Sequence, residues 1–287
     1  MKFRRKWGTY GTGDGELAYP TGIDLSAIEA FVADAANNRI EVFTLKGQYQ
    51  RKWGSYGTGP GQFDRPVGID IYNSKTYVTD QGNNRIQVFD LAGNYLNEWG
   101  GSGTLPGQFD NPAGLDVFDD KVYVADVLNS RIQVFDLIGT FLREWGSLGS
   151  LPGEFDLPTG LAVYGGEVYI TDLENYRIQI FNLLGNFQRK WGTQGTGDGE
   201  FDWPTGIAAH KHKIFVTDSN NNRVQVFDTL GNFVEKFGTI GPGDGEFLWP
   251  LLLNARAGLI YIADYGNNRI QAFGGAKIQY LPIMGIG

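Results

Sequence analysis

Three carboxylates and one amide have a spacing that could support chemistry. Asp24, Asp70 and Asp116 stand 46 residues apart, and Asn254 lies a whole number of the same steps further on. Carboxylate and amide oxygens gathered at one point are what a hard cation such as Ca²⁺ requires. A second set is aromatic and apolar. Trp203 and Trp249 are also 46 apart, Tyr19, Arg65 and Leu157 fall at the same place in that spacing, and Leu173 and Tyr265 share a second place. Large rings with a neighbouring cation are the groups that anchor partners at recognition surfaces. His210-Lys211-His212 is weaker, because it holds the only two His of a chain with no Cys. That composition argues against Cys-based zinc sites and His-rich catalytic metal centres. A formal charge of −8 opposes nucleic acid as a partner, because phosphate binding depends on clustered Lys and Arg.

What must position these residues is a repeat of 46 residues. Asp34, Asp80, Asp126, Asp172, Asp218 and Asp264 keep that step, as do Arg39, Arg85, Arg131, Arg177, Arg223 and Arg269. The framework Trp residues Trp7, Trp53, Trp99, Trp145 and Trp191 follow it too, with Phe237 in the sixth place. Within a unit the apolar residues alternate with period two, as in Arg85-Ile86-Gln87-Val88-Phe89, which marks strands. The second unit reads as strands near 68–71, 76–80, 85–89 and 95–99, separated by turn-forming runs such as Gln81-Gly82-Asn83-Asn84. A four-stranded meander with two apolar faces must stack on copies of itself, and a closed ring protects the sheet edges. The reading is an all-β, six-bladed β-propeller of six four-stranded antiparallel blades. One domain covers 1–287, with units at 3–48, 49–94, 95–140, 141–186, 187–232 and 233–278 and a tail at 279–287.

Two segments compete for the outermost strand of the last blade, Phe3 to Trp7 and the copy at 279–283. The first keeps the framework Trp, whereas the second carries Pro282, which cannot donate to a ladder. The N-terminal strand is therefore expected to close the ring, with residues from about 277 onward outside it or at its edge. The sixth unit departs most, with Leu252 where the others have Gly22, Gly68, Gly114, Gly160 and Gly206.

The run Pro-x-Gly-Ile/Leu, then Tyr/Phe-Val/Ile-x-Asp-x-x-Asn-x-Arg-Ile/Val-Gln-Val-Phe, then Gly-Asn-Phe, resembles the NHL-repeat six-bladed propellers over nearly the whole chain. The resemblance implies that the loop entering the inner strand and the loop between the second and third strands share one face, at the mouth of the axial channel. Some propellers of similar fold are lactonases and arylesterases with calcium in that channel. By that likeness Asp24, Asp70, Asp116 and Asn254, adjacent around the ring, are calcium candidates for a hydrolase.

A residue repeated in all units serves each blade, so Asp34 and Arg39 are read as a strand-to-strand tie, with Asn37 capping the turn between them. A binding site should break the symmetry, and the favoured one is the arc Tyr19, Arg65, Leu157, Leu173, Trp203, Trp249 and Tyr265. The favoured function is a non-enzymatic scaffold that presents this arc to a protein or peptide, with no cofactor. Two alternatives stand beside it: the calcium hydrolase, and a recently amplified or constructed repeat with no evolved partner. The chain has no long apolar run and no apolar stretch at its start, which reads as soluble and cytoplasmic, with no membrane partner.

Overall fold

The computed structural model describes residues 1–256 and 258–274. Its strands form six four-stranded antiparallel sheets, five of them in simple sequential order from the channel outward and the sixth completed by the first strand of the chain. Blade 2 contains Pro66–Tyr72, Lys75–Asp80, Arg85–Asp90 and Tyr95–Gly100, extending the strands expected from sequence by a residue or two. Its first two strands turn through Asn73 and Ser74, both at positive φ, and Lys211 and His212 take the same hairpin place in blade 5. No helix among the described residues is long and apolar enough to cross a membrane.

The ring closes as the sequence implied. Lys2–Trp7 pairs with Arg269–Gly274 as the outer strand of blade 6. Arg5 in that strand donates to the Leu45 carbonyl of blade 1 at 2.8 Å, as Arg51 does to Leu91 between blades 1 and 2 at 2.5 Å. The competing segment at 279–283 and the tail lie outside the described residues. Despite Leu252, the inner strand of blade 6 spans Pro250–Arg256 and keeps the Pro250–Asp264 register.

The core lies between blades. One cluster joins Phe31, Ile40 and Val42 of blade 1 to Ile69, Val78 and Phe89 of blade 2. Trp53 packs against Phe31 on one side and Phe89 on the other, with ring centroids 6.1 and 5.9 Å away. The periodic Trp residues are therefore inter-blade packing, as read from their repetition.

The repeated Asp and Arg do more than join two strands. Asp80 Oδ2 accepts from Arg85 Nε at 2.7 Å, while Asp80 Oδ1 accepts the Asp64 amide at 2.8 Å. The remaining guanidinium N–H groups donate to the Thr58, Gly59 and Gln62 carbonyls at 2.7, 2.9 and 2.8 Å and to the Glu98 carboxylate at 3.0 Å. Each pair thus clamps the loop arriving from the preceding blade. The expected role of the Asn37 position needs correction: Asn83 donates to the Gly57 carbonyl and to Asp80 rather than capping its own turn. The turn is closed instead by Asn84 in the left-handed region, at φ 54.

Around the channel the inner strands nearly touch. A Cβ on Gly114 would lie 2.5 Å from the Thr159 carbonyl oxygen of the next blade, a backbone atom with little room to move. Gly114→Ala should therefore destabilise the ring by about 1–3 kcal/mol through overpacking, seen as a fall of several degrees in thermal denaturation. An unchanged Tm would show that the blades can separate at this ring.

Candidate functional site

The residue before each inner-strand Pro has an unusual backbone. Tyr19, Arg65, Asn111, Leu157, Trp203 and Trp249 all lie in the left-handed region, with φ between 48 and 62. Gly or Asn would adopt this conformation at little cost, whereas a bulky residue is strained by about 1–3 kcal/mol. The surrounding framework imposes it. The amides of Tyr19, Arg65, Asn111 and Trp249 donate to the side-chain oxygens of Asn268, Asn38, Asn84 and Asn222 in the preceding blade, at 2.7–2.9 Å. At the places serving Leu157 and Trp203 that Asn is replaced by Ser130 and Tyr176.

Four of these six residues, Tyr19, Arg65, Trp203 and Trp249, line a cup of about 480 Å³ at the channel mouth. Five of the seven residues expected from sequence line it: Tyr19, Arg65, Trp203, Trp249 and Tyr265. Leu157 and Leu173 do not line the cup. They are half-buried on blade 4, where the Leu173 amide donates to the Leu157 carbonyl at 3.3 Å, and only Thr159 of that blade reaches the cavity. Trp203 and Trp249 are 43% and 53% exposed, which leaves their faces available. The Tyr19 and Tyr265 rings pack at 5.0 Å between centroids. Burial, and then Tyr19 beside it, push the Tyr265 hydroxyl above its usual range, with Arg65 opposing.

Sequence reasoning did not select Gln81, Ser219 or Asn220, which also line the cup. A further signal was readable one residue upstream of the arc. Blades 2 to 5 have Asp64, Asp110, Asp156 and Asp202 there, while blades 1 and 6 have Ala18 and Leu248. Carboxylates are thus absent beside Tyr19 and Trp249, and no Asp or Glu lines the cup. Its charged lining residue is Arg65, whose Nε lies 3.6 Å from Asp64.

Deeper along the inner strands, a cavity of about 220 Å³ holds Asp70, Asp116 and Asn254 in its wall. The four calcium candidates are adjacent, as expected, and one oxygen of each Asp joins its blade to the next. Asp24, Asp70 and Asp116 accept the amides of Ile71, Val117 and Val163 in the next inner strand, each at 2.6 Å, and Asn254 donates to Asp24 at 2.6 Å. Burial raises all three carboxyls above the usual range, with Asp70 adding to the rise at Asp24 and Asp116. No cluster of three or more His, Cys, Asp or Glu among the described residues is placed to hold a metal ion. One oxygen of each Asp is thus spent on a backbone amide of the next blade, while Asn254 Oδ1 is buried without a hydrogen-bond partner.

The family described as 6-bladed beta-propeller, DUF5128, matches residues 12–100 and 202–282, more than half of the chain. The protein belongs to this family of six-bladed β-propellers. NHL-repeat matches at 109–135 and 155–181 fall in its middle blades. No curated protein matches the chain. Among solved structures, the propeller is similar to a protein of unknown function from Bacteroides thetaiotaomicron, with TM-score 0.71, 17% identity, and 93% of this chain and 74% of the other covered. It is also similar to a catalytically inactive virginiamycin B lyase from Staphylococcus aureus solved with quinupristin, at TM-score 0.63, 17% identity, and 90% and 82% coverage. The computationally designed Ika8 protein gives TM-score 0.53 and 15% identity, with 95% of this chain and all of that one covered. At these identities the likeness is one of fold.

The strain at the rim separates a binding residue from a structural plug. Trp203→Asn removes a bulky side chain from φ 59, and it should leave Tm unchanged or raise it by about 2 °C. A fall of several degrees in thermal denaturation would show that the ring is packing that the propeller needs.

Proposed function

We propose that this propeller is a binding scaffold whose cup receives an apolar or aromatic side chain of a protein or peptide partner. The carrying observation is the break in symmetry at blades 5, 6 and 1. Trp203, Trp249, Tyr265 and Tyr19 share one cavity wall there, and the flanking Asp of blades 2 to 5 has given way to Ala18 and Leu248. Aromatic side chains supply large contact area at small conformational cost, and the absence of a carboxylate beside Tyr19 and Trp249 lowers the desolvation cost of burying a partner there. Arg65 and Gln81 on blade 2, with Asn220 on blade 5, provide polar groups at the ends of the arc.

The lining favours binding over chemistry. It contains no imidazole, carboxylate or thiol, and the Ser219 hydroxyl is engaged with the Pro250 carbonyl and Thr205, both at 2.6 Å. The lining groups that could move a proton are the hydroxyls of Tyr19 and Tyr265, and burial pushes that of Tyr265 above its usual range, away from proton transfer near neutral pH; the fold likeness to a lyase brings no activity to this cup.

Selecting a displayed peptide library on the wild-type protein, with counter-selection on a Trp203→Ala, Trp249→Ala double variant of equal thermal stability, tests the reading. Enriched peptides should carry a large apolar residue and bind the variant at least tenfold more weakly, as expected for two aromatic anchors. Peptides indifferent to both Trp residues, or no enrichment at all, would reject the cup as the binding site.

A further inference from the structure

Glu41 is fully buried, and neither of its oxygens accepts a hydrogen bond of good geometry. The same place holds Gln87, Gln133, Gln179, Gln225 and Gln271 in the other blades. Those amides show what the site demands. Gln87 Oε1 accepts the Gly61 amide at 2.8 Å, and Gln87 Nε2 donates to the Gln62 carbonyl at 2.6 Å and to Asp80 Oδ2 at 3.0 Å. The corresponding acceptors in blade 1 are the Glu16 carbonyl and Asp34 Oδ2. An ionised Glu41 therefore presents an acceptor to two acceptors, whereas a protonated Glu41 has the O–H that one of them needs.

Charge gives the same result. In blades with Gln the Arg has one fully buried carboxylate to serve, and the second one that Arg85 and Arg131 meet, Glu98 and Glu144, is partly exposed to solvent. In blade 1 the Arg39 guanidinium must serve both Asp34, at 2.7 Å, and Glu41, at 2.9 Å. The other groups facing Glu41 offset each other in part. Lys52, its partner across the ladder, is drawn to Asp14 at 2.9 Å, and Tyr49 lies near both Asp14 and Glu41. Burial first, then Asp34, hold the Glu41 carboxyl up at about 7, against lowering by Arg39, Lys52 and the Gly15 amide.

The covering loop leads directly to the cup. Arg39 clamps the Thr12, Gly13 and Glu16 carbonyls, Asp34 holds the Ala18 amide at 2.6 Å, and the next residue is Tyr19 in the cup wall. We propose that Glu41 is a proton-operated latch on this loop: protonated, it locks the loop as Gln does in the other blades; ionised, it loosens the loop and with it the Tyr19 side of the cup. Its bearing on ligand binding rests on the cup reading above, but the latch itself does not.

The sign follows from the closed state holding its proton more tightly than the open one. A carboxyl at about 7 when covered, and near 4.5 when the loop lifts, makes opening progressively easier between those pH values and level above them. Hydrogen exchange of residues 9–19, referenced to the equivalent loop 193–203 of blade 5, reads this directly. Between about pH 5 and about pH 8, wild-type protection of 9–19 should fall at least tenfold relative to the reference. Glu41→Gln, which restores the residue of the other blades, should show no such fall, and Gln87→Glu should bring one to loop 55–65. By the same sign, Glu41→Gln should gain a Tm advantage over wild type that is absent below about 4.5, grows to about 7 and is constant beyond. A wild-type loop that tracks its reference at both pH values, or a pH dependence that survives in Glu41→Gln, would overturn the latch. These readouts need no ligand, so a failed peptide selection leaves them intact.

Discussion

The structure depends on the buried Asp–Arg pair that each blade extends to the loop arriving from its neighbour. Every such Asp is fully buried, and each Arg spends N–H groups on that carboxylate and on carbonyls of the loop, with a second carboxylate added at Arg39, Arg85 and Arg131. The pair is costly in isolation. At Asp34, Asp172 and Asp218 burial raises the carboxyl despite the guanidinium beside it, so desolvation outweighs the attraction. What the arrangement secures is geometry. It satisfies loop carbonyls that would otherwise be buried without donors, and it fixes where the loop ends and the inner strand begins.

That end point is the rim residue, so the cup inherits its shape from the clamp. The Asp positions the loop's last amides, the Asn in the preceding blade holds the rim amide, and the following Pro starts the inner strand. With the backbone held at positive φ, the side chain at that position is left free of framework duty. Trp or Tyr there is strained and half-exposed, a combination that packing alone does not select. Arg65, Asn111 and Leu157 take the same backbone, so the strained geometry belongs to the framework and the residue type at the rim is what varies.

The fold was legible because repetition converts weak local signals into one strong one. Strand pattern, ring closure by the Trp7 strand, and the inter-blade role of the periodic Trp residues all follow from comparing six copies. The site was legible only in part. The variable rim position could be read, but not its left-handed backbone or the Asn clamp, since these arise where consecutive blades meet. Leu157 and Leu173 are apolar at the right repeat positions, yet they rest on blade 4, because apolar character does not specify whether a side chain faces a cavity or its own sheet. Asp24, Asp70 and Asp116 suggested a cation for the same reason: their bonds to Ile71, Val117 and Val163 depend on the stagger between neighbouring inner strands, which one blade's sequence does not reveal.

The departures from symmetry are not scattered evenly. Leu248, Trp249, Leu252 and Tyr265 belong to blade 6, Ala18, Tyr19 and Glu41 belong to blade 1, and the strand that closes blade 6, Lys2–Trp7, also leads into blade 1. A closing seam has to satisfy the same framework as every other interface, and it does so with the Arg5 tie and with Trp7 packed between Phe43 and Tyr261. Because closure asks for no special residue at the mouth, the aromatic wall is not a requirement of closing the ring. Tyr, Arg, Asn, Leu and Trp all occupy the same left-handed rim backbone, so the framework fixes the main chain at the mouth and leaves the side chain free to differ from blade to blade.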